Sequence, residues 1–169
     1  GMAVSLDAET GETRWRTQLT GEVLAIPTSN GELAIFQTQD GHVTALDTTT
    51  GEQLWDYETP VPTLTLRGMA QPTIAGDKVY AGFSNAKVAA LDLGSGSPIW
   101  EKRIAEATGR SELDRLVDVD SNLIVEGGGV FAVSFQGKVS VLDEDTGRVY
   151  WDKAMSSATH ISTNSGGSL

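Results

Sequence analysis

Leu46-Asp47-Thr48-Thr49-Thr50-Gly51-Glu52-Gln53-Leu54-Trp55 carries the frame that decides the fold: Leu-Asp, three residues, Gly, three residues, Trp. The frame recurs at Leu6-Asp7 with Gly11 and Trp15, at Leu91-Asp92 with Gly96 and Trp100, and at Leu142-Asp143 with Gly147 and Trp151. It uses all four tryptophans of the chain, and its aspartates lie 40, 45 and 51 residues apart. Internal repeats of this period mark stacked supersecondary units. The frame has a mechanical reading. Asp ends a strand and bonds backbone N–H groups two residues on, Gly supplies a positive φ, and Trp begins an outer strand and crosses to the neighbouring unit.

Pro27 lies 28 residues before Trp55, Pro72 lies 28 before Trp100, and Leu123 takes the same place 28 before Trp151. Each mark is followed four residues later by a glycine: Gly31, Gly76 and Gly127. Short runs rich in β-branched and aromatic residues come next (Leu33 to Phe36, Val79 to Phe83, Val130 to Val133), then a second run (Val43 to Leu46, Val88 to Leu91, Val139 to Leu142). Such runs bounded by Gly, Asn and Asp turns read as hairpin strands. With a short strand before each turn and one carrying the Trp, each unit has four strands. That is the blade of a β-propeller.

The expected fold is therefore all-β, a partial β-propeller of four-stranded blades. Residues 3–26 are read as the end of a first blade plus spacer, 27–55, 72–100 and 123–151 as blades, 56–71 and 101–122 as spacers, and 152–169 as the start of a further blade. Only the spacers vary in length, at 12, 17 and 23 residues from each Trp to the next mark.

Composition narrows the function. The 169 residues carry a formal charge of −11, which disfavours nucleic acid and a polybasic membrane contact. No window approaches 18 consecutive apolar residues, and no amino-terminal stretch reads as a signal peptide. Cysteine is absent, which removes thiol catalysis, disulfides and Cys-based zinc sites. No catalytic residue, metal or cofactor is expected. Asp145-Thr146-Gly147 matches an aspartic-protease triplet, yet it falls within the repeated turn. Asp118 to Asn122 opens like a calcium loop, but residue 123 is Leu where glycine is required, and residue 129 is Gly where Glu closes the loop. His42 and His160 lack ligand spacing. Residues 101–118 have helix-compatible content interrupted by Gly109, which allows at most one or two short turns.

The repeat resembles the quinoprotein-type (PQQ-like) propeller repeat. Two spacer stretches are more specific: Leu64-Thr65-Leu66-Arg67-Gly68 with Gln71-Pro72-Thr73, and Ala107-Thr108-Gly109-Arg110-Ser111-Glu112-Leu113-Asp114-Arg115-Leu116-Val117-Asp118-Val119-Asp120. With these, the chain is similar to the BamB family, lipoprotein subunits of the bacterial outer-membrane β-barrel assembly machinery. The resemblance implies about half of an eight-bladed ring and a non-catalytic scaffold in the periplasm, associated with the outer membrane. The family's signal peptide and lipid-carrying cysteine have no counterpart in these residues. The implied partner is the BamA-like barrel subunit through its POTRA region, with unfolded outer-membrane clients as a second class. The other reading is a piece of a different PQQ-like propeller, a quinoprotein dehydrogenase or a sensor domain.

Successive spacers of a propeller emerge on one face, and rigid scaffolds carry binding residues on loops. Leu64 and Leu66, two apart, with Arg67, Asp118 and Asp120 are the expected protein-binding residues. The alternative for the same residues is packing, with Arg67 bridging to Asp118 or Asp120. Asp47, Gly51, Trp55, Asp92, Gly96, Trp100, Asp143, Gly147 and Trp151 are the expected structural residues. A homodimer is also expected, two copies joining end to end to complete a propeller.

Overall fold

A computed structural model describes residues 1–62, 70–105, 119, 122–134 and 138–154. Every regular element among them is a strand. β1 (Met2–Leu6) and β2 (Thr13–Gln18) form a two-stranded sheet. β3 (Thr28–Ser29), β4 (Leu33–Gln37), β5 (His42–Asp47) and β6 (Gln53–Glu58) form the second sheet. β7 (Thr73–Ala75), β8 (Lys78–Gly82), β9 (Lys87–Asp92) and β10 (Pro98–Arg103) form the third. β11 (Ile124–Glu126), β12 (Gly129–Ser134), β13 (Lys138–Asp143) and β14 (Val149–Ala154) form the fourth. Strands pair antiparallel with their chain neighbours throughout, as in propeller blades.

The sheets bury each other's faces. The third strands β5, β9 and β13 share one burial pattern, four central buried residues between half-buried ends, because both their faces meet apolar layers. One layer joins Ala3, Leu19 and Leu46 between the first two sheets. A second joins Ile35, Val43, Ala45, Trp55 and Tyr57 to Val79, Ala81, Phe83, Ala89 and Leu91. A third joins Tyr80, Val88, Ala90 and Trp100 to Leu123, Val130, Ala132 and Leu142. The core is thus a stack of inter-sheet layers.

The repeated turn closes as its residues suggest. Oδ1 of Asp47 accepts the N–H groups of Thr49 (2.8 Å) and Thr50 (2.7 Å), and Gly51 N–H donates to the Asp47 carbonyl at 2.9 Å. Asp7, Asp92 and Asp143 hold the same turn, and all four glycines have φ between 67° and 75°.

Two expectations are corrected. The Trp does not begin its strand: Trp15, Trp55, Trp100 and Trp151 are each third in theirs, and each strand runs three residues further, to Gln18, Glu58, Arg103 and Ala154. The expected blade limits at Trp55, Trp100 and Trp151 therefore fall inside strands. Residues 56–58, 101–103 and 152–154 complete blades, because the fourth strand pairs along the whole third strand, as in His42 opposite Glu58. The strand over 101–103 also replaces the first residues of the expected helix-compatible stretch. Every sheet also carries a β-bulge. Leu46 faces Gln53 while Ala45 faces Trp55, so Leu54 is the extra residue; Arg14, Ile99 and Tyr150 stand in the same place. A bulge re-aims the side chain that follows it. It also explains why Leu54, Ile99 and Tyr150 are exposed.

Candidate protein-docking site

The joints between sheets set the geometry. Trp15 Nε1 donates to the Thr48 carbonyl at 2.8 Å, Trp55 Nε1 to Leu93 at 2.9 Å, and Trp100 Nε1 to Glu144 at 2.9 Å. Each acceptor is the residue after the turn aspartate of the following sheet. The indole then lies on that turn's glycine. A Cβ placed on Gly51 falls 2.5 Å from Trp15, one on Gly96 2.5 Å from Trp55, and one on Gly147 2.6 Å from Trp100. The glycine is therefore required twice, by its φ and by the ring above it. Trp151 is 43% exposed, and a Cβ on Gly11 meets nothing within 4 Å.

The turn carboxylates are held by these same bonds. The Thr50 and Thr49 N–H groups lower the pKa of Asp47, and the Ser95 hydroxyl lowers that of Asp92. The Thr146 and Tyr150 hydroxyls lower that of Asp143 to about 2. A depressed carboxylate stabilises the fold fully above its unfolded value near 4, and that contribution is lost as pH falls through the folded value. The melting temperature is expected to drop between about pH 4 and 2. Replacing Asp47, Asp92 and Asp143 by Asn keeps the acceptor oxygen and should flatten that limb in an acid melting series.

Leu64, Leu66, Arg67, Asp118 and Asp120 all lie outside the described residues. Their anchors do not. Ala70, 0% exposed, ends one stretch, and Val119, 1% exposed, stands between the two aspartates in sequence. Both rest on Gly82: a Cβ there would be 2.6 Å from Val119 Cγ1 and 3.3 Å from Ala70 Cβ. Val119 N–H donates to the Phe83 carbonyl at 3.3 Å, and Val119 bridges Ser134. Gln71 N–H donates to Asn122 Oδ1 at 3.1 Å, and Thr73 Oγ1 to the Leu123 carbonyl at 3.0 Å. The ends of the two spacers are thus adjacent.

Their beginnings reach the same hairpin. Asn85 Nδ2 donates to the Pro60 carbonyl at 2.8 Å, and Lys87 Nζ to Thr59 Oγ1 at 2.7 Å. Ile104 N–H donates to the Ala86 carbonyl at 2.9 Å. Lys87 also pairs with Glu101 at 3.0 Å, and the Tyr57 hydroxyl donates to the same carboxylate. Burial, reinforced by Glu101, raises the Tyr57 pKa, while the Tyr57 hydroxyl bond lowers that of Glu101.

Sequence reasoning missed this cluster, although a signal for it exists. His42 with Asp56, Lys87 with Glu101 and Lys138 with Asp152 are ion pairs 14 residues apart, five before the turn Asp and one after the Trp. They join the third and fourth strands diagonally, and Met2 and Arg16 stand in those places in the first sheet. Around His42, burial of the ring opposes protonation, but the bond to Asp56 and the charges of Asp56, Asp40 and Glu58 outweigh it and raise its pKa.

Known proteins share this architecture. The family model "Outer membrane protein assembly factor BamB" matches residues 1–169. BamB of Vibrio cholerae is 39% identical over 146 residues, 86% of this chain and 38% of that protein. BamB of Pseudomonas aeruginosa is 45% identical over 109 residues, 64% of this chain and 29% of that protein. The crystal structure of BamB from Moraxella catarrhalis superposes with a TM-score of 0.84 at 34% identity, covering 93% of this chain and 48% of that one. The chain thus spans half or less of these relatives' length. Quinohemoprotein alcohol dehydrogenase from Comamonas testosteroni, at 21% identity and a TM-score of 0.65, shares the fold alone. By its sequence repeats, its tryptophan joints and these matches, the chain belongs to the BamB family of outer membrane protein assembly factors.

Proposed function

We propose that the chain acts as a non-catalytic scaffold in the assembly and insertion of outer-membrane β-barrel proteins, docking the BamA-like barrel subunit, through its POTRA region, by the inter-blade spacers on one face. The observation that carries this reading is the convergence of both spacers on the hairpin between β8 and β9 in a chain of this family. Leu64, Leu66 and Arg67 belong to the first spacer, Asp118 and Asp120 to the second. Two leucines as apolar anchors, together with one cation and two carboxylates, have the composition of a protein interface. The non-catalytic part is supported by the turn aspartates, whose Oδ1 atoms are engaged in turn bonds. The relatives' name, outer membrane protein assembly factor, supports a place in the periplasm associated with the outer membrane. Unfolded clients would pair with exposed outer strands by β-augmentation. End-to-end pairing of two copies belongs to the same proposal, since the exposed Trp151 and the open Gly11 turn are the two halves of the joint used three times within the chain.

The test is equilibrium binding to the purified periplasmic domains of the barrel subunit. Arg67→Glu and the double variant Asp118→Ala/Asp120→Ala should each weaken binding by about tenfold or more, as interface hot spots do. Wild-type affinity in both would remove these residues from the interface.

A further inference from the structure

The second sheet differs from its neighbours at one repeated place. In the third and fourth sheets the diagonal pair between third and fourth strands is Lys87 with Glu101 and Lys138 with Asp152, and lysine stays charged well above neutral pH. In the second sheet it is His42 with Asp56, and histidine changes charge near neutrality. His42 Nδ1 lies 2.7 Å from Asp56 Oδ2. An ionised carboxylate oxygen only accepts, so Nδ1 carries a proton and the ring gains or loses its charge at Nε2. Thr44 Oγ1, on a residue 1% exposed, donates to Asp56 Oδ1 at 2.7 Å, which fixes the carboxylate from its other side. Glu58 is the cross-strand partner of His42, and Asp40 stands two residues before it. The corresponding places hold Arg103 and Asn85 around Lys87, and Ala154 and Gln136 around Lys138. Of the three bases, the weakest is the one set among three carboxylates.

His42 closes a hairpin that joins three segments. Its carbonyl accepts the Thr38 N–H at 3.0 Å. Within the hairpin, Gln39 N–H donates to the Glu22 carbonyl at 2.9 Å, and the Gly41 carbonyl accepts the Thr59 N–H at 3.0 Å. Thr59 is 1% exposed and also takes Lys87 Nζ from the third sheet. We propose that the His42–Asp56 pair is a pH-sensitive clamp: protonation of His42 tightens the Thr38–His42 hairpin onto Thr59, and deprotonation loosens it. The clamp is independent of the docking reading. With the ring neutral, Asp40, Asp56 and Glu58 have no cation between them, and like charges across paired strands destabilise the sheet. The Nδ1 bond survives, so the change is a loosening and not an opening. Burial of the ring opposes its charge, but the Asp56 bond and the three carboxylates outweigh it and raise the folded pKa. Stability from such a base is complete below the unfolded value near 6.5 and is lost as pH rises through the folded value. The turn aspartates act in the opposite sense and at lower pH, so the two effects separate.

Urea unfolding and amide exchange of the 169-residue chain at about pH 8.5 and 5.5 test the clamp. The wild-type urea midpoint should rise at the lower pH, and His42→Lys should remove most of that rise. The Gly1 amine, which bonds the Leu19 carbonyl at 3.4 Å, and His160 titrate in the same window; both remain in His42→Lys, so the difference between the two chains isolates His42. Exchange at Thr38, Gly41 and Thr59, corrected for the pH dependence of a free amide, should slow by about two- to fivefold at the lower pH, the size of one cross-strand charge pair. Phe83, Ala86 and Ile104 make the same three bonds around Lys87 and should not respond. The double variant Asp40→Asn/Glu58→Gln keeps the ring and should lower the midpoint of the His42 titration followed by NMR. An equal pH response in the wild type and His42→Lys, an equal exchange response at the two hairpins, or a His42 midpoint unmoved by the double variant overturns the clamp.

Discussion

Trp55→Ala lowers stability by about 3–5 kcal/mol, which in a chain of this size shifts the melting temperature by about 6–20 °C. The indole is 7% exposed and packs between the second and third sheets. Burying a Trp removes about 150–250 Å² from water, an upper bound of roughly 4–6 kcal/mol. Truncation leaves a cavity against Gly96 and strips the Leu93 carbonyl of its donor. Trp100→Ala should behave alike, since it repeats both contacts at the next joint. Trp151→Ala is the internal control: its ring is 43% exposed, so its loss should cost clearly less. Urea titrations of the three variants check the order, and equal effects at 55 and 151 would show that joint burial is not the source.

The second large effect comes from the other half of the joint. Gly96→Ala should cost about 2–5 kcal/mol, from strain at a left-handed residue plus overpacking against the indole. The residue has φ 71°, and its added Cβ would lie 2.5 Å from Trp55 Cε3. Gly76→Ala separates the two causes. Its φ is 60° and its added Cβ meets nothing within 4 Å, so only strain remains, about 1 kcal/mol. In a Trp55→Ala background, Gly96→Ala should shrink to the same size, because the ring that opposes the methyl is gone. A double-mutant cycle read by urea unfolding measures this. Unchanged additivity would mean that the ring does not press on the turn.

The joints were half legible in the sequence. Asp47, Gly51 and Trp55 could be assigned to one turn and one strand because their partners lie within a few residues, as the Asp47 bonds to Thr49 and Thr50 show. The residue that covers Gly51 could not, because it is Trp15 of the preceding sheet. The frame reads as one unit, but its glycine and its tryptophan serve two different joints. The Lys87–Glu101 pair was within reach, since its 14-residue spacing recurs with His42 and Lys138. Polar positions among many exposed polar positions carry no periodic signal, and only the antiparallel register makes that spacing meaningful. Of the docking candidates, the sequence located the spacers. The contact of Ala70 and Val119 with Gly82 came from the structure, as Gly82 reads simply as one small residue in a strand.

The four frames set the number of units and the turn chemistry, and the paired apolar runs between them set the strands per blade. Those depend on hydrogen bonds between residues two to five apart and on alternation along single strands, which are short-range and therefore written locally. The stacking of the sheets chose which tryptophan lies on which glycine, which side chain each bulge exposes, and which hairpin gathers the described ends of both spacers. Those contacts join residues 36 to 47 apart at the three joints, and their partners are chosen by how whole sheets stack.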